Sequence, residues 1–212
     1  MRRGIIFDMD GTLWDASDVV VASWNIVLEQ APEETRLCTT EWMQQLMGKT
    51  VPDLEDSFLG YLPKERRHEL MMECMMFENE YIAEHGGAIY PGFEETMALL
   101  QKDYSLSIVS NCQKGYIPAF FTAHDMQKYF DDYEENGRTG LVKADNIRLV
   151  MERNHLDEAV YVGDTMGDYN AAKDAGIPFI HSAYGYGEVP EGTPEIHSLS
   201  ELPEAVAAVF KD

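Results

Sequence analysis

The chain has 212 residues, enough for one large domain or for a core domain that carries a smaller insertion. Its 38 acidic and 16 basic residues give a formal charge of −22, which disfavours nucleic acid and anionic membrane as partners. No apolar run is long enough to span a bilayer, and the apolar stretch before Asp8 is too short for a signal peptide, so we expect a cytoplasmic protein.

A short apolar strand at the start of the chain ends in two carboxylates. Residues 5–7 are apolar, Asp8 and Asp10 follow on alternate positions, and Gly11 and Thr12 form a turn signal. Two unpaired acids at the end of a buried strand are costly unless a cation or a substrate uses them. A solvated acidic turn explains these residues alone equally well, so the rest of the chain decides between the two interpretations.

Residues 16–87 show helical patterns only. Four helices are predicted: one ending at Pro32, one capped by Thr40, one starting near Pro52 and a long one after Pro63. The long helix carries a methionine-rich apolar stripe, which indicates core packing more than a binding groove, and it ends at Gly86. We predict an all-helical inserted domain at 16–87, and a discontinuous core domain formed by 1–15 and 88–212.

From residue 88 onward, helices and strands alternate. Strands are predicted at 104–109, 159–162 and 177–180, and helices at 93–102, 115–123, from 143, up to Gly176, and at 202–210. Residues 131–140 are acidic and rich in turn residues, which predicts a short strand pair or a loop. The alternation is typical of an α/β fold with a doubly wound parallel sheet.

The polar residues that follow these strands suggest one site. Ligands of open parallel sheets bind beyond the carboxyl ends of the strands. The polar groups predicted there are Asp8 and Asp10, Ser110 and Asn111, Asp164 and Asp168, and the helix-start lysine Lys143. Cysteines 38, 74 and 112 and the six histidines show no zinc, disulfide or triad spacing, so the carboxylates favour Mg²⁺. Carboxylates, a hydroxyl and one ammonium group suit phosphoryl transfer.

The same residues resemble the motifs of the haloacid dehalogenase superfamily. Asp8-Met9-Asp10-Gly11-Thr12-Leu13 is similar to its DxDGTL signature. Ser110-Asn111 is similar to the second motif, Lys143 to the third, and Gly163-Asp164-Thr165-Met166-Gly167-Asp168 to the fourth. The order and spacing match from end to end. The helical insertion resembles the C1 cap of the phosphoglycolate phosphatase and β-phosphoglucomutase branch.

This resemblance implies a role for each matched residue. Asp8 would attack phosphorus, and Asp10 would act as general acid and then general base. Mg²⁺ would bind the Asp8 carboxylate, the Asp10 backbone carbonyl and Asp164, while Asp168 would hold metal waters or Lys143. The phosphate-binding residues would be Thr12, Ser110, Asn111 and Lys143. The substrate would be a small phosphorylated metabolite.

The cap would supply specificity. Its hinges would lie near 15–18 and 85–90, and closure would exclude water. Lys49, beside Gly48, lies where such caps often carry a specificity loop; a solvated surface lysine is the competing interpretation. The acid at position 10 favours phosphate esters over haloacid or phosphonate substrates, as the resemblance implies.

Several alternatives stay open at this stage. A phosphomutase would transfer the phosphoryl group to a second hydroxyl rather than to water, and a catalytically idle binding protein could keep the same fold. Lys143 could be a solvated lysine, and Asp168 could simply cap the helix that follows Asp164. The loop 184–187 is given no chemical role. The substrate and the oligomeric state are not determined by the sequence.

Overall fold

The computed structural model describes residues 1–33 and 36–211. The strands are β1 (Arg3–Phe7), β2 (Trp14–Asp15), β3 (Ala88–Ile89), β4 (Ser105–Ser110), β5 (Asp132–Glu135), β6 (Glu158–Gly163), β7 (Phe179–Ser182) and β8 (Glu195–Ile196). The helices are α1 (Ser17–Gln30), α2 (Thr40–Gln44), α3 (Val51–Phe58), α4 (Lys64–His85), α5 (Phe93–Leu100), α6 (Tyr116–His124), α7 (Asn136–Thr139), α8 (Lys143–Arg153), α9 (Met166–Ala175) and α10 (Leu202–Val209). Within these ranges no helix is long and apolar enough to cross a membrane.

The main sheet has six parallel strands in the order β5-β4-β1-β6-β7-β8. β1 lies between β4 and β6, and helices cover both of its faces, which explains its unbroken apolar run. Alternate residues of β1 point to opposite faces: Ile5 and Phe7 join one apolar cluster with α5, α6 and α10, whereas Ile6 joins another with α8 and α9. The predicted doubly wound α/β fold is confirmed.

The acidic segment 131–140 differs from its prediction. It forms a single edge strand, β5, parallel to β4, and then the short helix α7, rather than a strand pair or a loop. Acidic residues fit in this strand because their carboxylates accept hydrogen bonds from arginines or from backbone N–H groups. Glu134 accepts hydrogen bonds from Arg138 and Arg153, and Glu135 accepts from the backbone N–H groups of Gly115 and Ile117.

The helical segment is closed at its base by a small ribbon. β2 pairs antiparallel with β3, Trp14 opposite Ile89 and Asp15 opposite Ala88, which brings the two predicted hinge segments side by side. The predicted short second helix is present, but Thr39, not Thr40, is its cap, accepting from the Trp42 N–H. The division into core and cap domains at 15/16 and 87/88 stays a prediction.

The long helix α4 packs against both α1 and α6, and so contacts the helical segment and the sheet domain together. The predicted apolar stripe is buried only in part: Phe77 and Tyr81 are half-buried and Met76 is exposed. The buried members are Leu70, Met71, Cys74, Met75 and Ile82. These residues belong to the same apolar cluster as Ile5 and Phe7 of the sheet. One carboxylate, Glu78, lies buried on this same face.

Candidate active site

The carboxyl end of β1 places two acids between neighbouring strands. The Asp8 N–H donates to the Val162 carbonyl (2.8 Å), which continues the sheet register one residue beyond β1. The chain then turns tightly, with the Leu13 N–H donating to the Met9 carbonyl (2.8 Å). Gly11 has φ +78°, and a Cβ there would lie 2.2 Å from Asp164 Oδ2, so this turn requires glycine. Both acids are consequently buried, Asp8 more deeply than Asp10.

Lys143 forms ion pairs with Asp8 of the first motif and with Asp168 of the fourth motif. Its Nζ lies 2.9 Å from Asp8 Oδ1 and 2.6 Å from Asp168 Oδ1, and all three side chains are buried. The lysine is therefore not the solvated helix-start residue of the competing interpretation. Burial lowers its pKa, but the charges of Asp168 and Asp8 outweigh that effect and raise the pKa above its ordinary value. The lysine is cationic at every physiological pH.

Asp168 performs both of the functions considered for it. One carboxylate oxygen binds Lys143, and the other accepts from the Thr165 backbone N–H (3.0 Å) and hydroxyl (2.6 Å). The Asp168 N–H in turn donates to the Thr165 hydroxyl, which completes a capping box at the start of α9. The helix cap thus fixes the carboxylate that holds the lysine.

Asp164 is the residue best suited to a cation. It is fully buried, and its Oδ1 has no hydrogen-bond partner among the described residues. Burial, with the negative charges of Asp168 and Asp8, raises its pKa to about 8. One oxygen each of Asp8, Asp164 and Asp168 lies within 4.8 Å of the others. An all-oxygen cluster with an unpartnered buried carboxylate oxygen fits Mg²⁺, the predicted cofactor.

The carboxylate of Asp10 lies apart from this cluster. Its Oδ1 accepts a hydrogen bond from the Tyr116 hydroxyl (2.7 Å) on α6. Burial raises the pKa of Asp10 to about 8, although the hydrogen bond from Tyr116 opposes the shift. Burial and the charge of Asp168 also raise the pKa of Asp8, but Lys143 opposes this shift and the pKa reaches only about 6. Near neutral pH the pair therefore consists of an ionised Asp8 and a protonated Asp10, as a nucleophile and a general acid would require.

The other predicted phosphate-binding residues follow β1 or lie at the end of β4, on the edge of the sheet where these acids lie. Ser110 ends β4 and is buried, and the Asn111 Nδ2 donates to the Gly48 carbonyl (2.9 Å) of the helical segment. Among the described residues, Thr12 Oγ1 and Asn111 Oδ1 are buried without a partner. Unpartnered buried polar atoms at a site commonly mark the position of a ligand or water.

A cavity of about 50 Å³ lies between Asp10 and the helical segment. Ser110, Asn111 and Lys49 are among its lining residues, so the structure brings the predicted cap lysine to the site. Lys49 itself is exposed, and its Nζ donates to the Ser57 hydroxyl (3.3 Å). The cavity thus connects Asp10, the predicted acid/base residue, to the segment predicted to control specificity.

The loop 184–187, given no role from the sequence, supports the fourth motif. The Tyr186 N–H donates to Asp164 Oδ2 (2.7 Å), and its hydroxyl donates to Asp15 Oδ1 (2.6 Å). A Cβ on Gly185 would lie 2.3 Å from the Asp164 Cβ, so glycine permits this close approach. The loop fixes one oxygen of Asp164 and leaves the other free.

Four residues at the site carry no motif that identifies them: Glu78, Gln113, Tyr116 and Tyr186. Only Glu78 leaves a signal in the sequence, because it is an acid three residues after Met75 and four before Ile82 on an otherwise apolar stripe. The other contacts join residues far apart in the chain, which local patterns do not report.

Comparison with known proteins identifies the family. Residues 5–182 match the family described as haloacid dehalogenase-like hydrolase. The chain is 30% identical to the phosphoglycolate phosphatase of Escherichia coli K12 over 219 residues, covering 87% of this chain and 82% of that protein.

Solved structures show the same fold. A haloacid dehalogenase-like family hydrolase from Streptococcus pneumoniae has a TM-score of 0.80 at 21% identity, covering 97% of this chain and 98% of that one. CbbY from Rhodobacter sphaeroides, in complex with phosphate, has a TM-score of 0.76 at 22% identity, covering 95% and 96%. The sequence match, the motif geometry and the shared fold agree. The chain therefore belongs to the haloacid dehalogenase-like hydrolase family, as a phosphatase of the phosphoglycolate phosphatase-like branch.

Proposed function

We propose that the protein hydrolyses a small phosphate monoester through a phosphorylated aspartate at Asp8, with Mg²⁺ as cofactor. The observation that carries this proposal is the contrast between two neighbouring acids. Asp8 is held by a buried lysine at 2.9 Å, whereas Asp10 is held by a tyrosine hydroxyl and has a pKa of about 8. One acid is thus ionised for attack, and the other is protonated for transfer to a leaving group.

Two successive steps follow from this arrangement. Asp8 attacks phosphorus while the bond to the leaving-group oxygen breaks, and Asp10 gives that oxygen its proton. Water then attacks phosphorus, Asp10 accepts the water proton, and the bond between phosphorus and Asp8 breaks. Lys143 offsets the negative charge near Asp8 in both steps.

The residues proposed to hold Mg²⁺ are Asp8, Asp164 and the Asp10 backbone carbonyl. When bound, the ion would neutralise charge on the phosphate oxygens. Asp168 would act indirectly, because both of its oxygens are already used by Lys143 and Thr165. We propose that the hydroxyls of Thr12 and Ser110 and the backbone N–H of Asn111 donate to the phosphate oxygens, on the basis of their position at the strand ends and of the unpartnered Thr12 hydroxyl.

Phosphate release is the test that separates the candidate functions. The protein would be incubated with Mg²⁺ and a panel of phosphorylated metabolites, including 2-phosphoglycolate because relatives carry that name. Release of inorganic phosphate supports a hydrolase. Interconversion of isomers without release supports a phosphomutase. The absence of both phosphate release and isomer interconversion would support a binding protein.

The metal site gives a prediction that does not depend on activity. The pKa values of Asp10 and Asp164 rise from 3.8 to about 8 on folding, so the folded state binds more protons than the unfolded state between these values. Stability of the metal-free protein should therefore fall as pH rises towards 8, and Mg²⁺ should offset this loss. In thermal unfolding, excess Mg²⁺ should raise the Tm relative to EDTA by about 2–4 °C near pH 8.5.

The rise in Tm caused by Mg²⁺ should nearly vanish near pH 5.5, because protons then compete with the ion for the carboxylates. Asp164→Asn should reduce the gain at alkaline pH, whereas the exposed Asp103→Asn should keep it. Equal gains at both pH values, or none with any divalent ion, would contradict the metal site.

Lys49 provides a second prediction, for substrate binding. Because its ammonium group is at the rim of the cavity and not beside the reacting acids, Lys49→Ala should raise KM by about 3- to 10-fold with little change in kcat. Lys64→Ala, which removes another exposed cap lysine at the start of α4, is the matched control. Steady-state kinetics on the best substrate that match wild type would assign Lys49 to the solvated surface.

A further inference from the structure

The cavity beside Asp10 contains a second carboxyl group that the proposed reaction does not use. Glu78 lies on the buried face of α4, is 3% exposed, and lines the cavity together with Asp10. Its neighbours on the buried face of α4 are apolar, and Met75 lines the same cavity. A buried carboxylate is costly to solvate, so its retention there calls for specific partners or a ligand.

Two donors fix the Glu78 carboxylate from either side. Its Oε2 accepts from the Trp24 indole N–H of α1, and its Oε1 accepts from the Gln113 Nε2 at 2.9 Å. The Gln113 Nε2 also contacts Asn79 Oδ1 (3.1 Å), so a residue of the sheet domain bridges two residues of α4. Each carboxylate oxygen can accept two hydrogen bonds, so acceptor capacity remains on both oxygens. The group is held rigidly as an acceptor.

The charges around this carboxylate determine which ligand it tolerates. The titratable groups that line the cavity with it are Asp10, Lys49, Cys112 and Tyr116, and Lys49 is the only basic residue among the described lining residues. That lysine is exposed and bonded to Ser57. A carboxylate on the substrate would therefore meet the charge of Glu78 in a cavity whose described lining includes no buried cation, which is unfavourable.

We propose that Glu78 selects phosphate esters whose leaving group carries a hydroxyl or ammonium group and rejects those that carry a carboxylate. This proposal rests on the proposed phosphatase function, since it places the leaving group on the side of Asp10, the proposed proton donor. A hydroxyl or ammonium group donates to the free acceptor positions of Glu78. A carboxylate has no hydrogen to donate and adds a like charge.

Three two-carbon phosphate esters test this selection because they differ only in the terminal group. They are 2-phosphoglycolate, 2-hydroxyethyl phosphate and phosphoethanolamine, with a carboxylate, a hydroxyl and an ammonium group. Burial raises the pKa of Glu78 to about 7, so assays near pH 8 keep it largely ionised while Asp10, with a pKa of about 8, is still partly protonated. Wild-type kcat/KM should be at least about 10-fold higher for the hydroxyl and ammonium esters than for 2-phosphoglycolate.

Glu78→Gln should reduce this preference by about 10-fold, because it removes the charge and keeps the side-chain size. Glu80→Gln, on the exposed side of the same helix, should leave the preference unchanged. A partial loss of folded protein scales all three rates equally, so the ratios do not depend on it. Where turnover is too slow, the inhibition constants of the three esters against p-nitrophenyl phosphate hydrolysis give the same ranking.

Equal or better use of 2-phosphoglycolate by the wild-type protein would overturn the selection, even if the variant does not fold. An unchanged ratio in a folded Glu78→Gln protein would also overturn it. Both results would leave the phosphatase function intact, because phosphate is still released. Failure of the function itself would show as no phosphate release from any ester, with or without Glu78.

Discussion

Replacing Asp8 by asparagine is expected to lower kcat for Mg²⁺-dependent phosphate release by at least about 10⁴-fold. The amide retains the size of the side chain, and its oxygen can still accept a hydrogen bond from Lys143. It has no charge and is a poor nucleophile, so the phosphorylated aspartate cannot form. The loss should affect every substrate alike, because it removes the attacking atom rather than a contact with the leaving group. The measurement is the rate of phosphate release with p-nitrophenyl phosphate and with the best metabolite.

Folding must be checked separately because Asp8 is buried beside a charged network. Asp103→Asn is the matched control. Asp103 is exposed and precedes the start of β4, whereas Ser110 of the site is the last residue of that strand. The Asp103→Asn protein should keep wild-type activity. Circular dichroism and the Tm report whether the Asp8 variant folds. A folded Asp8→Asn protein with activity within 10-fold of wild type would exclude Asp8 as the nucleophile.

The parts of the site that sequence could predict are those fixed by strand order. Asp8, Ser110 and Asp164 each lie at the end of an apolar strand, and parallel strands bring their carboxyl ends to one edge. The burial of each strand is visible as an apolar run, so fold and convergence follow from local patterns. The position of Lys143 in the site is harder to predict from the sequence, because its side chain must reach Asp8 from the start of α8.

The parts that sequence could not predict depend on contacts between distant residues. Tyr116 reaches Asp10 across 106 positions, and Tyr186 binds Asp164 from a loop whose composition indicates only flexibility. The edge strand β5 could not be predicted from the sequence, because acidic residues normally disfavour strands. The structure shows that Arg138 and Arg153 bind the Glu134 carboxylate, which makes this charge tolerable in the strand. Charge pairing of this kind is a tertiary property.

The second large effect is expected for Asp10→Asn, and it should differ from that of Asp8→Asn in kind. General acid–base groups contribute about 10²- to 10⁴-fold, so turnover of an alkyl phosphate should fall by that amount. Asparagine keeps an acceptor for the Tyr116 hydroxyl but cannot give or take a proton. With p-nitrophenyl phosphate, whose leaving group needs little protonation, the first step should survive while hydrolysis of phosphorylated Asp8 slows.

Asp10→Asn should therefore release one equivalent of p-nitrophenolate per enzyme in a rapid burst, followed by slow turnover, as measured by stopped flow. Asp8→Asn should give no burst, since it cannot become phosphorylated. Tyr116→Phe is the companion variant: it retains the Asp10 carboxyl but loses the hydroxyl that orients it, so it should slow both steps moderately and accumulate less intermediate. If Asp10→Asn instead slows p-nitrophenyl phosphate and alkyl phosphates equally, with no burst, Asp10 acts before bond cleavage, as a ligand or a structural group. The burst thus distinguishes proton transfer from every other role that the buried position of Asp10 permits.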